Sequence, residues 1–204
     1  EWLKAVSSSG GCDSELFALP KVDPFLEIYP KRDPWWRLID PALIDPAERS
    51  SAAKEADGVA TDPWFGVYIP NLIATREFHS EIGRTYHDLT YSHYGADPAR
   101  NSYLNIVWKT PQQVTLSIGE LRDSRAINAT GWQAVRLAFT PGKDSSDPAR
   151  IAQGNGQVVF EIAAASDPGD DTVPHNSGAG PFIRGGGKVR QSFRLQTMSE
   201  GHAG

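Results

Sequence analysis

The sequence predicts a mainly β fold at the margin of α+β, in the form of an antiparallel β-sandwich or jelly-roll-like domain with two helices and an extended N-terminal arm. Three observations predict it. Apolar residues after about residue 100 recur with a period of two, two earlier stretches have helical spacing, and residues 1–45 show no sustained period. With 39% hydrophobic residues in 204, the chain can bury one core. We therefore predict an arm over residues 1–45 and a single β-rich domain over residues 46–204.

The predicted arm is rich in proline, aspartate and aromatic residues. Within it, Ser7–Cys12 is typical of a flexible linker with an incidental thiol, and Leu26–Tyr29 suits one short strand. Aspartate precedes proline eight times, at residues 23, 33, 40, 45, 62, 97, 147 and 167. Because the aspartate side chain accepts backbone N–H bonds and proline needs none, each pair predicts a turn or a helix start.

Two helices are predicted. Asp45-Pro46 resembles a capped helix start, which gives a helix near residues 46–57 that ends at Gly58. The second helix is predicted near residues 73–94. Its apolar stripe has residues three or four positions apart: Phe78, Ile82, Tyr86, Leu89 and His93. Gly83 weakens this helix.

Five strands are predicted after residue 100, and most alternate apolar and polar residues as antiparallel sheets do. They cover residues 103–108, 114–118, 133–139, 158–162 and 189–195. Between the last two strands, residues 166–187 form a long excursion rich in glycine, aspartate and proline, and loops of this length are often functional.

Charge and composition exclude several classes of protein. A net charge of −5 and a pI near 5.5 argue against a nucleic-acid partner. No apolar run reaches the ~18 residues of a membrane-spanning helix. The single cysteine, Cys12, excludes an internal disulfide. The cellular location stays open, with an extracytoplasmic one slightly favoured.

The candidate partner-binding residues are tryptophans and cations. Trp35, Trp36 and Trp64 follow Asp-Pro turns, where an exposed ring could stack on a sugar or anchor a protein interface. Packing of these rings onto the sheet is the alternative. Near the C-terminus, Arg184, Lys188 and Arg190 make an acidic chain locally basic, which suits an anionic partner or a neighbouring subunit.

Two sets of metal ligands are candidates, although the sequence predicts no cofactor. Asp167, Asp170 and Asp171 offer the oxygen ligands that calcium prefers, without the spacing of a helix–loop–helix calcium site. His79, His87 and His93 lie eight and six residues apart, too far for two ligands to share an ion on one unbroken helix. A solvated loop and ordinary histidines are the alternatives.

No catalytic set of residues converges in the sequence, so we favour a non-catalytic binding or assembly subunit with a protein partner or a homo-oligomeric state. A carbohydrate-binding β-sandwich, with calcium at the acidic loop, is the first alternative. The second is a metal-dependent hydrolytic enzyme that uses the region of His79, His87 and His93.

Overall fold

The chain folds into two compact units, each built from two separate segments. The computed structural model describes residues 1–45, 62–83, 85–114, 119, 121, 125–130, 134–138, 157–185 and 187–195. Unit 1 comprises Glu1–Arg76 and Val107–Ile162, and unit 2 comprises Glu77–Ile106 and Ala163–Gly204. This partition differs from the predicted arm and single domain, because residues 1–45 belong to the same unit as the strands after Val107.

Unit 1 contains a six-stranded sheet. Its strands are β1 (Leu3–Ser9), β2 (Cys12–Leu19), β5 (Ile106–Thr110), β6 (Arg125–Thr130), β7 (Ala134–Ala138) and β8 (Gln157–Ile162). The order across the sheet is β2-β1-β5-β8-β7-β6. The pairs β1/β2, β5/β8, β7/β8 and β6/β7 are antiparallel. The alternating sequence predicts this pairing for β5, β7 and β8, whereas β1, β2 and β6 were not predicted as strands.

The first two strands correct the prediction of an extended arm. β1 and β2 form a hairpin in which Leu3 lies opposite Leu19 and Ser9 lies opposite Cys12. Gly10 and Gly11 connect them with φ values of 63° and 80°, the left-handed conformation that a two-residue hairpin turn requires and glycine tolerates. The segment expected to be a flexible linker is therefore the tip of a hairpin in the sheet.

A short helix, α1 (Pro24–Glu27), replaces the strand predicted at Leu26–Tyr29. Asp23 is its N-cap and accepts a hydrogen bond from the backbone N–H of Phe25 at 2.9 Å, while Pro24 occupies the first helical position. The same pattern recurs at Asp40, which caps a 3₁₀ turn over Pro41–Leu43. The Asp-Pro pairs thus start helices at both sites, as predicted.

Tryptophans form the centre of unit 1. The Trp35 ring lies 5.4 Å from that of Trp108 and 5.1 Å from that of Phe160, and its indole N–H donates to the carbonyl of Leu121 at 2.9 Å. Phe17 of β2 packs near Trp36 with ring centroids 6.1 Å apart. Aromatic pairs of this kind add about 0.5–1.5 kcal/mol beyond the area that they bury.

The second predicted helix is shorter than expected. A π-helical turn (Trp64–Tyr68) leads into α2 (Ile69–Ile82), which ends at Gly83 rather than near residue 94. Residues Thr90–Gly95 form a strand instead. The predicted stripe is not a buried face, since Phe78 and Ile82 are 55% and 43% exposed. Glycine at the break and the β-favouring Thr90 and Tyr91 after it explain the difference.

Unit 2 contains two small sheets and two short helices. The strands β3 (Thr90–Gly95) and β10 (Val189–Leu195) pair in parallel, and β4 (Asp97–Ser102) pairs antiparallel with β9 (Asp167–Gly169). The excursion between β8 and β10 contains β9, α3 (His175–Gly178) and α4 (Gly180–Arg184).

The architecture is therefore a mixture of α and β elements and not clearly a β-sandwich. Strands near 103–108, 133–139, 158–162 and 189–195 are present as predicted, with shifts of a few residues at their ends. The helix predicted near 46–57 and most of the strand predicted at 114–118 lie outside the described residues. No helix among the described residues combines the length and apolar character needed to cross a membrane.

Candidate partner-binding site

The parallel pair of β3 and β10 exposes one of its faces. Phe193 lies beside His93, and Leu195 lies beside Gly95. Because side chains alternate along a strand, Tyr91 and His93 of β3 share a face with Phe193 and Leu195 of β10. Tyr91, Phe193 and Leu195 are 62%, 48% and 44% exposed, and His93 is also exposed. We call these four residues the aromatic face.

The opposite face of the same pair is covered. There the hydroxyl of Ser92 donates to that of Ser192 at 2.9 Å. Tyr94 packs against α3 so closely that a Cβ on Gly178 would lie 2.4 Å from the Cβ of Tyr94. Parallel sheets are normally buried on both faces, so the exposure of the aromatic face is unusual for a parallel pair.

The predicted cations border this pair of strands. Arg184 ends α4, Lys188 directly precedes β10, and Arg190 lies within it; all three are exposed. The Arg190 Nε donates to the backbone carbonyl of Asp88 at 2.8 Å, which holds this guanidinium near the start of β3. Their role in binding a partner stays a prediction, but the structure gives them an accessible position.

The three predicted tryptophans occupy a different environment. Trp35, Trp36 and Trp64 are all buried in unit 1. The structure thus corrects their assignment as exposed platforms, because these side chains fill the core and present no ring face to a sugar or a partner. Their packing onto the sheet was the alternative interpretation of the same residues.

Neither predicted set of metal ligands comes together. The described residues, which include both sets, contain no group of three or more His, Cys, Asp or Glu side chains that could hold a metal ion. The Asp170 carboxylate accepts the N–H groups of Thr172 and Val173, and that of Asp171 pairs with Arg100 at 2.7 Å.

The three histidines lie on different elements. His79 is on α2, His93 is on β3, and His87 lies in the turn between them, where its Nδ1 accepts the N–H of Leu89 at 3.1 Å. The predicted continuous helix would have placed all three on one element, and the break at Gly83 removes that arrangement.

Unit 1 contains a groove of about 460 Å³ beside β2, and its charged groups are largely occupied by the chain itself. Glu27 accepts the backbone N–H groups of Lys21, Val22 and Asp23 at 2.8, 2.6 and 2.8 Å. These hydrogen bonds, of which that from Lys21 has the largest effect, hold the pKa of Glu27 below its usual range. The ammonium of Lys21 is bound to Glu1 at 2.6 Å. The groove therefore has few charged side chains that are free to form hydrogen bonds with a partner.

Sequence reasoning missed the β3 half of the aromatic face. The apolar stripe from Phe78 to His93 fits a helix, and that interpretation placed Tyr91 and His93 on the wrong kind of element. The stretch from Thr90 to Tyr94 carried a signal for a strand, since threonine and tyrosine favour strands.

Comparisons with known proteins give one similar fold for this chain. No family model matches it, and no curated protein matches it. Among solved structures, a chain from "The crystal structure of Tle4-Tli4 complex" is similar, with a TM-score of 0.51 and 22% sequence identity. The match covers 95% of this chain and 35% of that chain, so this chain spans about a third of the solved chain's length. At this identity the likeness concerns the fold, and the chain resembles a chain of a protein–protein complex.

Proposed function

We propose that this chain is a non-catalytic binding or assembly subunit that binds another protein through the aromatic face. The observation that carries the proposal is the exposure of Tyr91, Phe193 and Leu195 side by side on a parallel strand pair. Burial of such side chains against a partner removes apolar surface from water, which is the main driving force of protein association.

The composition of the face also fits an interface. Tyrosine, phenylalanine and arginine are enriched at the centres of protein interfaces, and tyrosine and arginine are common among the residues that dominate binding energy. Tyr91 and Phe193 lie on neighbouring strands and share one face of the strand pair. Strands hold such anchors in a fixed arrangement, which reduces the entropy lost on binding.

The fold comparison supports a role in a protein–protein complex. The similar solved chain comes from a structure described as a complex of Tle4 and Tli4, that is, of two proteins. This chain spans only about a third of the length of that chain. A protein partner for this chain is therefore proposed here and is not carried over from the solved complex.

Two alternative functions were considered, carbohydrate binding and metal-dependent hydrolysis. The residues that suggested them do not have the arrangement that either function needs. The carbohydrate-binding alternative used Trp35, Trp36 and Trp64 as exposed platforms, and these three rings are buried. A metal-dependent hydrolase needs convergent ligands, whereas the described residues contain no such group. The binding role therefore accounts best for the geometry.

The test uses the tagged full chain expressed in its native source, followed by size-exclusion chromatography with light scattering. We expect a mass above the 22.3 kDa of the single chain, with a second protein in the same peak. In the double variant Tyr91→Ser/Phe193→Ser, loss of two anchors worth about 2 kcal/mol each should remove that protein.

The matched control is Phe65→Ser, which changes an exposed phenylalanine of unit 1 and should leave the complex intact. Circular dichroism of each variant establishes that the fold is retained. A wild-type chain that elutes at 22.3 kDa without a partner contradicts the proposal, and so does a folded double variant that keeps its partner.

A further inference from the structure

We propose that the outer edge of β2 binds an extended, acidic segment of a partner protein, which adds to the six-stranded sheet as a further strand. This segment lies in the groove beside β2 and places a carboxylate against Lys31. The site uses none of the residues of the aromatic face. The inference therefore goes beyond the proposed function and is tested independently of it.

β2 is an end strand of the sheet in unit 1. The strand order places β1 on one side of β2 and no strand of the described residues on the other side. Within the part of the chain that the structure describes, the backbone hydrogen bonds of β2 go to β1 and to Trp2, which directly precedes β1. An edge strand of this kind presents unpaired N–H and C=O groups along its outer side. Another extended segment satisfies such groups by adding a strand.

The groove of about 460 Å³ follows this edge. It is lined by five consecutive residues of β2, Glu15–Leu19. Leu16 is a bulge residue without an opposite residue in β1. After the bulge, successive side chains point to opposite faces, so a groove on one face alone would be lined by every second residue. Phe17, Ala18 and Leu19 all line the groove, which therefore runs along the backbone edge.

The groove suits an extended segment in size and in rigidity. Its volume lies in the range of about 300–1,000 Å³ that is usual for ligand pockets. Five residues of a strand span about 15 Å, which gives room for a segment of similar length. Phe17 packs near Trp35 and Trp36, with ring centroids 6.2 and 6.1 Å apart. The core of unit 1 thus holds this part of β2 in place, and a rigid edge reduces the entropy lost on binding.

Lys31 is the charge of the groove that a partner can satisfy. Four charged side chains line the groove. Glu15 and Lys21 are in ion pairs at 3.7 and 2.6 Å, and Glu27 accepts three backbone N–H groups. The half-buried Lys31 forms no ion pair among the described residues. Because a lysine ammonium has three donors and no acceptor, a carboxylate of the bound segment is its complement.

A second copy of this chain does not suit the groove. A two-fold contact places the same groove of both subunits together. Among the described residues that line it, the carboxylates of Glu15 and Glu27 are already engaged, so neither copy supplies a free carboxylate for Lys31. An acidic segment of a different protein satisfies both the strand edge and the lysine.

The test selects random peptides of about eight residues, displayed on phage, with the full chain as bait. We expect enriched peptides in which apolar and polar residues alternate and at least one residue is aspartate or glutamate. Fluorescence anisotropy then gives the Kd of the most enriched peptide. N-methylation of every second peptide amide should abolish binding in one register and preserve it in the other, because only one set of N–H groups faces β2.

The variant Lys31→Glu tests the charge. It should weaken binding of the selected peptide about tenfold and should prefer the same peptide with its acidic residue replaced by lysine. Lys188→Glu is the matched control and should keep the wild-type Kd, because Lys188 also lacks an ion pair among the described residues but belongs to unit 2. Circular dichroism establishes that each variant is folded, and the N-methylated peptides test the strand pairing on the wild-type chain.

The outcomes separate this inference from the proposed function. Absence of any enriched peptide overturns the inference, as does a peptide that responds equally to N-methylation in both registers or binds Lys31→Glu as tightly as the wild type. A peptide that is lost in Tyr91→Ser/Phe193→Ser binds at the aromatic face and also overturns it. A chain that elutes without a partner contradicts the proposed function alone, because peptide binding at β2 is measured separately.

Discussion

At the scale of single residues, Glu27 orders the turn that follows β2. Its two carboxylate oxygens accept three consecutive backbone N–H groups, from Lys21, Val22 and Asp23. Such groups need a partner when they lie outside regular structure, and one carboxylate supplies it for all three. Because the carboxylate must be ionised to accept all of these bonds well, the order of the turn depends on pH.

The first prediction concerns this pH dependence. The pKa of Glu27 is lowered in the folded chain, so its contribution to stability is present above the usual glutamate pKa of about 4.3 and is lost as the pH falls through the lower, folded value. Glu27→Gln should therefore lower the urea midpoint at neutral pH and reduce the loss of stability between about pH 6 and pH 3. Urea unfolding followed by tryptophan fluorescence measures both effects.

Asp33→Asn serves as the control, because it changes an exposed carboxylate of the same unit. This variant should keep the pH dependence of the wild type. An equal loss of stability on acidification in wild type and Glu27→Gln contradicts the prediction.

The role of a residue was predictable from the sequence where that role depends on residues close to it along the chain. The side chains of Asp23, Asp40 and Asp62 each accept the N–H two residues later, as the Asp-Pro pairs predict. The environment of Trp35 was not predictable, because it depends on Trp108 and Leu121, which are distant in sequence. The Asp-Pro pairs predict the local turns correctly, but a local turn does not determine where the ring of the tryptophan that follows it is buried.

At the scale of elements, the contact of α3 with β3 determines which face of the strand pair is covered. Gly178 lets the helix lie directly on the Tyr94 ring, since any Cβ there would overlap its Cβ and Cγ. The backbone of Gly178 does not have a positive φ, so the glycine is required by close approach and not by a left-handed conformation.

The second prediction follows from this contact. Gly178→Ala should push α3 off β3 and lower the free energy of unfolding by about 1–3 kcal/mol, the usual cost of overpacking. Urea unfolding followed by far-UV circular dichroism measures the loss, and hydrogen exchange at Ser92 and Tyr94 locates it. The control is Gly119→Ala, whose Cβ would meet nothing within 4 Å; a similar loss in both variants shows that the contact is not the cause.

Helices and strands were predictable where the spacing of the apolar residues and the positions of glycine and proline indicated the same ends. The strands at Ala134–Ala138 and Gln157–Ile162 follow a period of two and appear close to their predicted places. The stretch from Ile73 to Tyr94 has helical spacing on both sides of Gly83, and the spacing of apolar residues alone did not show that the helix ends there. In the N-terminal hairpin the Gly10-Gly11 turn was the available signal, although the serines around it resemble a linker.

At the scale of the whole molecule, the aromatic residues are divided between the two units. All six tryptophans of the sequence fall in the segments of unit 1, whereas the segments of unit 2 contain tyrosines and phenylalanines but no tryptophan. Among the described tryptophans, Trp35, Trp36, Trp64 and Trp108 are buried. Tryptophan emission is therefore an intrinsic signal of unit 1.

The third prediction uses this division. Acrylamide should quench the tryptophan emission of the native chain far less than that of the urea-unfolded chain, because most of the indoles are out of reach. Tyr91→Ser/Phe193→Ser should leave the native emission and its quenching unchanged, as should added glycans. Quenching of the native chain as strong as that of the unfolded chain contradicts the burial of the tryptophans, and a change caused by glycans restores the carbohydrate-binding alternative.

The hairpin turn places the chain's sole thiol in the open. Cys12 is exposed and begins β2, directly after the two glycines. A maleimide reagent would thus attach at one defined position without any engineered cysteine. Since Cys12 is not one of the residues of the aromatic face, the native protein can be tethered to a sensor surface at one defined position through a side chain that the proposed function does not use.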